Sequence, residues 1–388
     1  MGEIHFTEDW TIPDQPANKP FAVAPNARVY GKTVTAKNYQ NTNYHLRIDT
    51  GAIATFETVA VAGKLVFRLN GGNLCATGDV TLGGGDKRDF GYYNAENNGT
   101  VEAHGIYKNV TGYGLIYQNI TSMVVGEGGY GMYRKDYSIQ FCKDLRLTAK
   151  ADLSIHKPIA EDGPKNGDWG LYLNGKTFTI DTAGYKVIFD SYVGNGANAT
   201  SGAIVKEGEG ELVMASLEKR YSGATTVKGG TLKVVQPVKG LGTGAVTVND
   251  GGTLALVPGV TLSNSSVSVE NGGAFACAES GTVVLGSDLN LADGAKFKFT
   301  FSKRNIAPVL DVAEKTVTLG ENKALTVAID GVKRPCAGRH VLTSGGKFAE
   351  AVVSLDGNHP KWVLGVGVND DGNIYADIKP MGTRIIVR

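Results

Sequence analysis

Apolar residues recur most regularly over positions 227–299, where VKGGTLKV, VNDGGTLAL, VENGGAFAC and LADGAKFKF align into three columns. The first is Val227, Val248, Val269 and Leu291; the second Leu232, Leu254, Phe275 and Phe297; the third Val234, Leu256, Cys277 and Phe299. Every step is 21 or 22 residues. Within each segment apolar and polar residues alternate, the period of a strand with one buried face. A fixed period of this length, with a turn in each unit, marks a repeat architecture in which one coil cannot bury its apolar side alone. The columns are therefore expected to be interior ladders of a β-solenoid, with coils about 4.8 Å apart. The pairs Gly229-Gly230, Gly251-Gly252 and Gly272-Gly273 are expected to take positive φ at the turns, where glycine does so at little steric cost.

The same pattern predicts elements elsewhere. HLRIDTGAIATFE and KLVFRLNGGNLCAT align at a separation of 21, setting Leu46, Ile48, Ile53 and Thr55 over Phe67, Leu69, Leu74 and Ala76. Residues 1–83 thus read as N-terminal coils. Residues 84–140 read as a Tyr/Gly-rich irregular β section, because half of the 16 tyrosines fall between Tyr92 and Tyr137. Strands return over 141–301, with a loop expected at 157–169. From 302 to 388 the segments are shorter and hairpin-like, with Asp371-Gly372 as a turn signal, so a small β-rich cap or appended β-unit is expected. Closed coils expose strand edges only at their ends, which is why a cap is needed.

Composition agrees with this reading. Glycine is 53 of 388 residues while hydrophobic residues remain at 42%, about double the usual glycine share of roughly 7%. Length is no obstacle, since a solenoid adds coils without enlarging one core. The 39 Lys+Arg balance 38 Asp+Glu, so no global field draws the chain to nucleic acid. No apolar run reaches membrane-spanning length. The start, MGEIHFTEDW, lacks a basic region followed by an apolar one, so an exported form is expected to have lost its signal. Cys75, Cys142, Cys277 and Cys336 are far apart, with no CxxC and no metal-ligand spacing, and read as small buried hydrophobes.

Residues 202–234 carry a more specific pattern. Lys206, Gly208, Gly210 and Leu212 form a Lys-x-Gly-x-Gly-x-Leu turn and strand; Tyr221, Gly223, Thr225 and Val227 follow, then Gly229, Gly230 and Leu232. This stretch resembles the autotransporter-associated β-strand repeat, also called the passenger-associated transport repeat. It departs from that family before Tyr221, where Ser216-Leu217-Glu218-Lys219-Arg220 stands in place of Ser-Gly-x-Asn. A weaker likeness extends over roughly 145–300. The resemblance implies a right-handed parallel β-helix, exported by a diderm bacterium and secreted or displayed at the cell surface, with a structural or adhesive role. It brings no catalytic residues, and no alternating strands of an outer-membrane barrel end this chain.

Candidate chemistry is sparse. A pectin-lyase-like enzyme on a β-helix needs converging carboxylates and a base; Asp86, Arg88 and Asp89, or Glu161, Asp162 and Asp168, are the nearest approach and read as polar loops. Asn369-Asp370-Asp371-Gly372-Asn373 reads as a hairpin turn in preference to a calcium loop. His104, His156 and His359 stand alone, without HxH or HExxH spacing, and neither a nucleophile elbow nor a phosphate loop occurs. No catalytic residue, metal site or cofactor is expected. Candidate ligand-binding residues are aromatic: Tyr113, Tyr117, Tyr130, Tyr133 and Trp169, which offer an apolar face with a polar tip to a sugar or a protein. Two functions follow as expectations. One is a non-enzymatic, secreted or surface-displayed structural or adhesive passenger with a lateral binding face for a glycan or a cell-surface protein. The other is a carbohydrate-binding or polysaccharide-active β-helix.

Overall fold

The computed structural model describes residues 2–12, 21–36, 44–61, 66–82, 100–104, 106–109, 114–118, 121–132, 137–155, 170–196, 201–215, 219–235, 241–262, 264–331 and 335–379. Among them there is no helix; parallel strands stack as a β-solenoid of about 10 turns. The chain divides into two compact units, residues 1–212 with 218–223, and residues 213–217 with 224–388. The expected divisions at 84, 141 and 302 fall inside these units.

In the first unit one interior column runs Val29, Ala54, Leu74, Val101, Met123, Leu147, Ile180, Lys206, each residue the register partner of the next. All eight are buried. Strand alternation explains why: the side chains between them point outward, so one face packs coil on coil. The column passes through Thr100–Ala103 and Ser122–Val125 without a change of register, so the described part of the Tyr-rich section is ordinary coil. A further sheet stacks Ile139, Leu171 and Val193, all fully buried.

The N-terminal alignment needs one correction. Leu46 pairs with Phe67 and Ile48 with Leu69 as expected, but Leu74 lies over Ala54 and Ala76 over Phe56. Between the pairs Asp49–Asn70 and Ile53–Asn73, one coil places Thr50, Gly51 and Ala52, the next only Gly71 and Gly72. That extra residue shifts the register by one. A one-residue shift exchanges the two faces of a strand, so Ala54 and Phe56 are inside while Ile53 and Thr55 are half-buried.

In the second unit the three predicted columns stand in register, Val227–Val248–Val269–Leu291, Leu232–Leu254–Phe275–Phe297 and Val234–Leu256–Cys277–Phe299. They continue beyond Phe299 to Leu319, Val327 and Ile329. Outward from the first column runs a polar row, Thr226, Thr247, Ser268, Asn290 and Thr318, also in register. Over 302–388 the strands Pro308–Asp311, Val317–Leu319, Ala324–Gly331 and Val352–Leu355 continue the parallel pairing, and Gly338–Val341, Val363–Val368 and Ile374–Ile378 form a three-stranded antiparallel sheet. Its turn is closed by Gly372 N–H donating to the Asn369 carbonyl at 2.9 Å, with Gly372 at φ +72°; residues 369–373 are a hairpin turn.

Three successive coils of the second unit turn a corner in the same way. The Gly252 N–H donates to the Asn249 carbonyl at 2.9 Å, Gly273 to Glu270 at 2.9 Å and Ala295 to Ala292 at 3.0 Å. The two glycines of a pair differ in role. Gly251 has φ +74° with open space where a Cβ would stand, whereas Gly252 lacks positive φ but its Cβ would lie 2.5 Å from the Val227 carbonyl oxygen. The expectation of positive φ at both is therefore corrected: one glycine makes the turn and the other admits the preceding coil's backbone. We expect Gly251→Ala to cost about 1–2 kcal/mol through backbone conformation alone, and Gly252→Ala roughly 3 kcal/mol because a backbone atom must move. Equilibrium urea denaturation of the two variants checks the order; equal losses would contradict it.

Candidate functional site

The residues of the 202–234 motif divide between interior and turn. Leu212 and Tyr221 are fully buried in the first unit, as are Thr225, Val227 and Leu232 in the second. Gly208 and Gly210 have φ +72° and +93°, and a Cβ on Gly210 would meet the Tyr185 carbonyl oxygen at 2.3 Å. A Cβ on Gly223 would lie 2.2 Å from the Gly202 carbonyl oxygen. Gly230 takes φ +60°, and Gly229 precedes it outside the strand.

Lys206 is the unusual member. It occupies an interior position, stacked on Ile180 and fully buried. Its ammonium turns toward the adjacent bend and donates to the carbonyls of Glu207 at 2.9 Å and Gly208 at 2.7 Å. The Thr182 hydroxyl donates to the Glu207 carbonyl at 3.3 Å and also to that of Glu209. Carbonyls that the bend leaves inside are thus satisfied by side chains, as buried acceptors require. Burial pulls the Lys206 ammonium down to about 8, against the opposing pull of Asp181, Glu209 and Glu207.

On the outer side of the same coils Arg146 spans two further rungs. Thr148, Asp181 and Glu207 are register partners, and Arg146, on the strand of Thr148, donates from Nη2 to Asp181 Oδ2 at 2.6 Å and from Nη1 to Glu207 Oε2. The Glu207 hydrogen bond, only partly offset by burial, raises the guanidinium above its ordinary value. Beside it lies an open groove of about 500 Å³ lined by Thr121, Cys142, Lys143, Asp144, Arg146, Lys176 and Thr179. Asp144 accepts the Thr177 N–H at 2.7 Å, so its carboxylate is engaged at the groove's edge. Burial raises the Cys142 thiol.

The aromatic candidates are redistributed. Tyr113, Tyr133 and Trp169 lie outside the described residues, as do Asp86, Arg88, Asp89, His156, Glu161, Asp162 and Asp168. Tyr117 is on the strand Gly114–Gln118, opposite Gln140. Tyr130 is corrected: its ring is 1% exposed inside a coil, and an interior ring has no face for a ligand. A half-buried aromatic pair on the same register row as Tyr117 is Tyr172 with Tyr192, ring centroids 6.0 Å apart in an edge-to-face arrangement. Glycines make room for it: a Cβ on Gly170 or Gly194 would lie 2.6 or 2.9 Å from Tyr192 ring carbons. Gln140 pairs with Tyr172 and Tyr172 with Gly194, so Tyr117 and Tyr172 share a register row. The sequence signal for this pair was the Tyr-x-Gly of Tyr192–Gly194, outside the stretch where tyrosines are dense.

The cysteine expectation also divides. All four are free; Cys277 is buried, Cys75 and Cys142 are intermediate, and Cys336 is exposed. Cys336 is exposed and stands outside the interior columns, so its thiol is no core residue. Compared with models of known protein families and with curated proteins, the chain matches none.

The Lys206 geometry gives a pH dependence. In the unfolded chain a lysine keeps its ordinary value of 10.5, against about 8 when folded. Between these values the unfolded state binds more protons at this site, so stability rises with pH, and the penalty is fully present below pH 8. Relative to Lys206→Met, which removes the titration, the wild type is expected to gain roughly 2–3 kcal/mol between pH 7.5 and 10.5. Urea denaturation across that range is the measurement, and a difference that stays flat or falls with pH contradicts the buried placement.

Proposed function

We propose that the chain is a secreted or surface-displayed structural or adhesive β-solenoid, non-enzymatic, whose lateral face binds a glycan or a cell-surface protein. The observation that supports this most is the in-register polar row Thr226, Thr247, Ser268, Asn290 and Thr318. A row of short hydroxyl and amide side chains at the strand spacing of about 4.8 Å is a flat array of donors and acceptors. Each member sits on a ladder that cannot relax independently, so little ordering is required on binding. The likeness of residues 202–234 to the autotransporter-associated repeat supports export and the passenger role.

A second reading, a carbohydrate-binding or polysaccharide-active β-helix, is favoured by a different observation. Tyr172 and Tyr192 form a half-buried aromatic surface over glycine backbone, and aromatic faces bind the apolar faces of sugars.

The two readings separate in one set of measurements. Binding of the purified chain to a panel of glycans and cell-surface proteins is expected to fall at least tenfold when Thr247 and Asn290 are both changed to Arg, with thermal stability retained. The double variant Tyr172→Ala and Tyr192→Ala is expected to leave it unchanged. Loss of glycan binding with the tyrosine variant alone favours the second reading, and release of reducing ends from a polyuronate by the wild type overturns the non-enzymatic one.

A further inference from the structure

Cys75, Glu102 and His104 belong to no local motif, yet the fold assembles them. Cys75 lies in the strand Asn73–Ala76, directly opposite Glu102 in Thr100–Ala103. Leu74, Ala76, Val101 and Ala103 point into the interior and are buried, so the intervening Cys75 and Glu102 point outward together. His104 follows Glu102 by two residues and shares its side. One thiol sulfur, one carboxylate oxygen and one imidazole nitrogen all lie within 4.8 Å of one another. The His104 Nε2 is 2.7 Å from Glu102 Oε1, and Lys150 Nζ donates to the same oxygen.

We propose that Cys75, Glu102 and His104 form a binding site for a divalent transition metal of the zinc class. The donor set selects this class: calcium and magnesium take oxygen ligands, whereas zinc accepts sulfur, nitrogen and oxygen together, at about 2.3 Å for sulfur and about 2.0 Å for nitrogen or oxygen. Such bond lengths put tetrahedral ligands roughly 3.5 Å apart, a contraction that side-chain rotation provides. Cys75 and Glu102 are half-buried and His104 exposed, so the metal enters from solvent, and a water completes the coordination. On binding, the thiol releases its proton to solvent and the thiolate forms the metal–sulfur bond. The Lys150 ammonium leaves Glu102; its side chain is 48% exposed and free to swing outward. The bound ion ties the side chain of residue 75 to those of residues 102 and 104 on the next coil, in addition to the strand pairing of 75 with 102. This site is independent of the polar row and of the tyrosine pair.

The test is a titration of the full chain with Co²⁺, then competition by Zn²⁺. A one-to-one complex with visible bands of tetrahedral cobalt and a near-ultraviolet thiolate-to-cobalt band is expected, together with a rise in melting temperature on adding Zn²⁺. Cys75→Ser is expected to abolish the thiolate band, and His104→Ala to weaken binding at least tenfold. Lys150→Met, which removes the competing cation, is expected to tighten binding several-fold, whereas Cys336→Ser leaves the spectrum unchanged. Far-ultraviolet circular dichroism verifies that each variant is folded; should Cys75→Ser fail to fold, the exposed His104→Ala and Lys150→Met carry the test. A thiolate band that is absent, that persists in Cys75→Ser, or that disappears in Cys336→Ser would falsify the assignment, as would binding unaffected by His104→Ala and Lys150→Met.

Discussion

Among the described residues, each coil presents an apolar side that the coils above and below it cover. That constraint determines the rest. It requires that like positions stack, because a slip of one residue would turn a strand's apolar set toward solvent. It also makes stability a sum over neighbouring coils, so that Val29 and Ile180, far apart in the first unit, are linked through the five residues between them in one column. Turns, caps and outward rows are arranged around this requirement. The glycine that lets a carbonyl approach at a corner serves the stacking distance, and parallel pairing reaches as far along the chain as Val352–Leu355.

Legibility in the sequence follows the regularity of coil length. The columns through Val227, Leu232 and Val234 could be read because each coil there spans 21 or 22 residues and a simple offset superposes them. In the first unit the offsets vary: Leu74 pairs with Val101, Met123 with Leu147, and Leu147 with Ile180. No single period aligns them, and the equally sound alternation of each strand gave no means to connect one with another. The slip at Ala54 has the same origin, since one added turn residue is invisible to an offset of 21 that fits Leu46 and Ile48.

The sites were less legible than the columns, for reasons particular to each. Lys206 was marked by its motif, but a lysine within an alternating segment reads as outward, and its interior position depends on carbonyls of the next two residues that only the folded bend presents. Tyr130 is a ligand-binding candidate in the sequence for its aromatic face, and the fold buries it. Cys75 and the pair Glu102 and His104 are separated by a connection of no fixed length, so spacing rules for metal ligands had nothing to act on. Register, a property of the assembled sheet, brings them together.

The buried Lys206 shows what a polar residue does in such a column. An apolar residue at that height would pack as well on Ile180, and isosteric replacement of buried charges is often neutral or stabilising. What the lysine adds is direction: its ammonium matches two carbonyls of one bend, so only one rung satisfies it.

Unequal coil lengths have a further consequence. Residue 147 and its partner 180 are one rung apart, and so are residues 254 and 275, although 33 positions separate the first pair and 21 the second. Rung membership is thus insensitive to how many residues connect one interior strand to the next. Insertions and deletions there leave each interior residue with its original neighbours, and closing a longer loop costs only slowly more entropy. The connections of unequal length, in contrast to the tight glycine corners, are accordingly where chains of this architecture can acquire new peptide segments, including grafted epitopes, without redesign of the ladder.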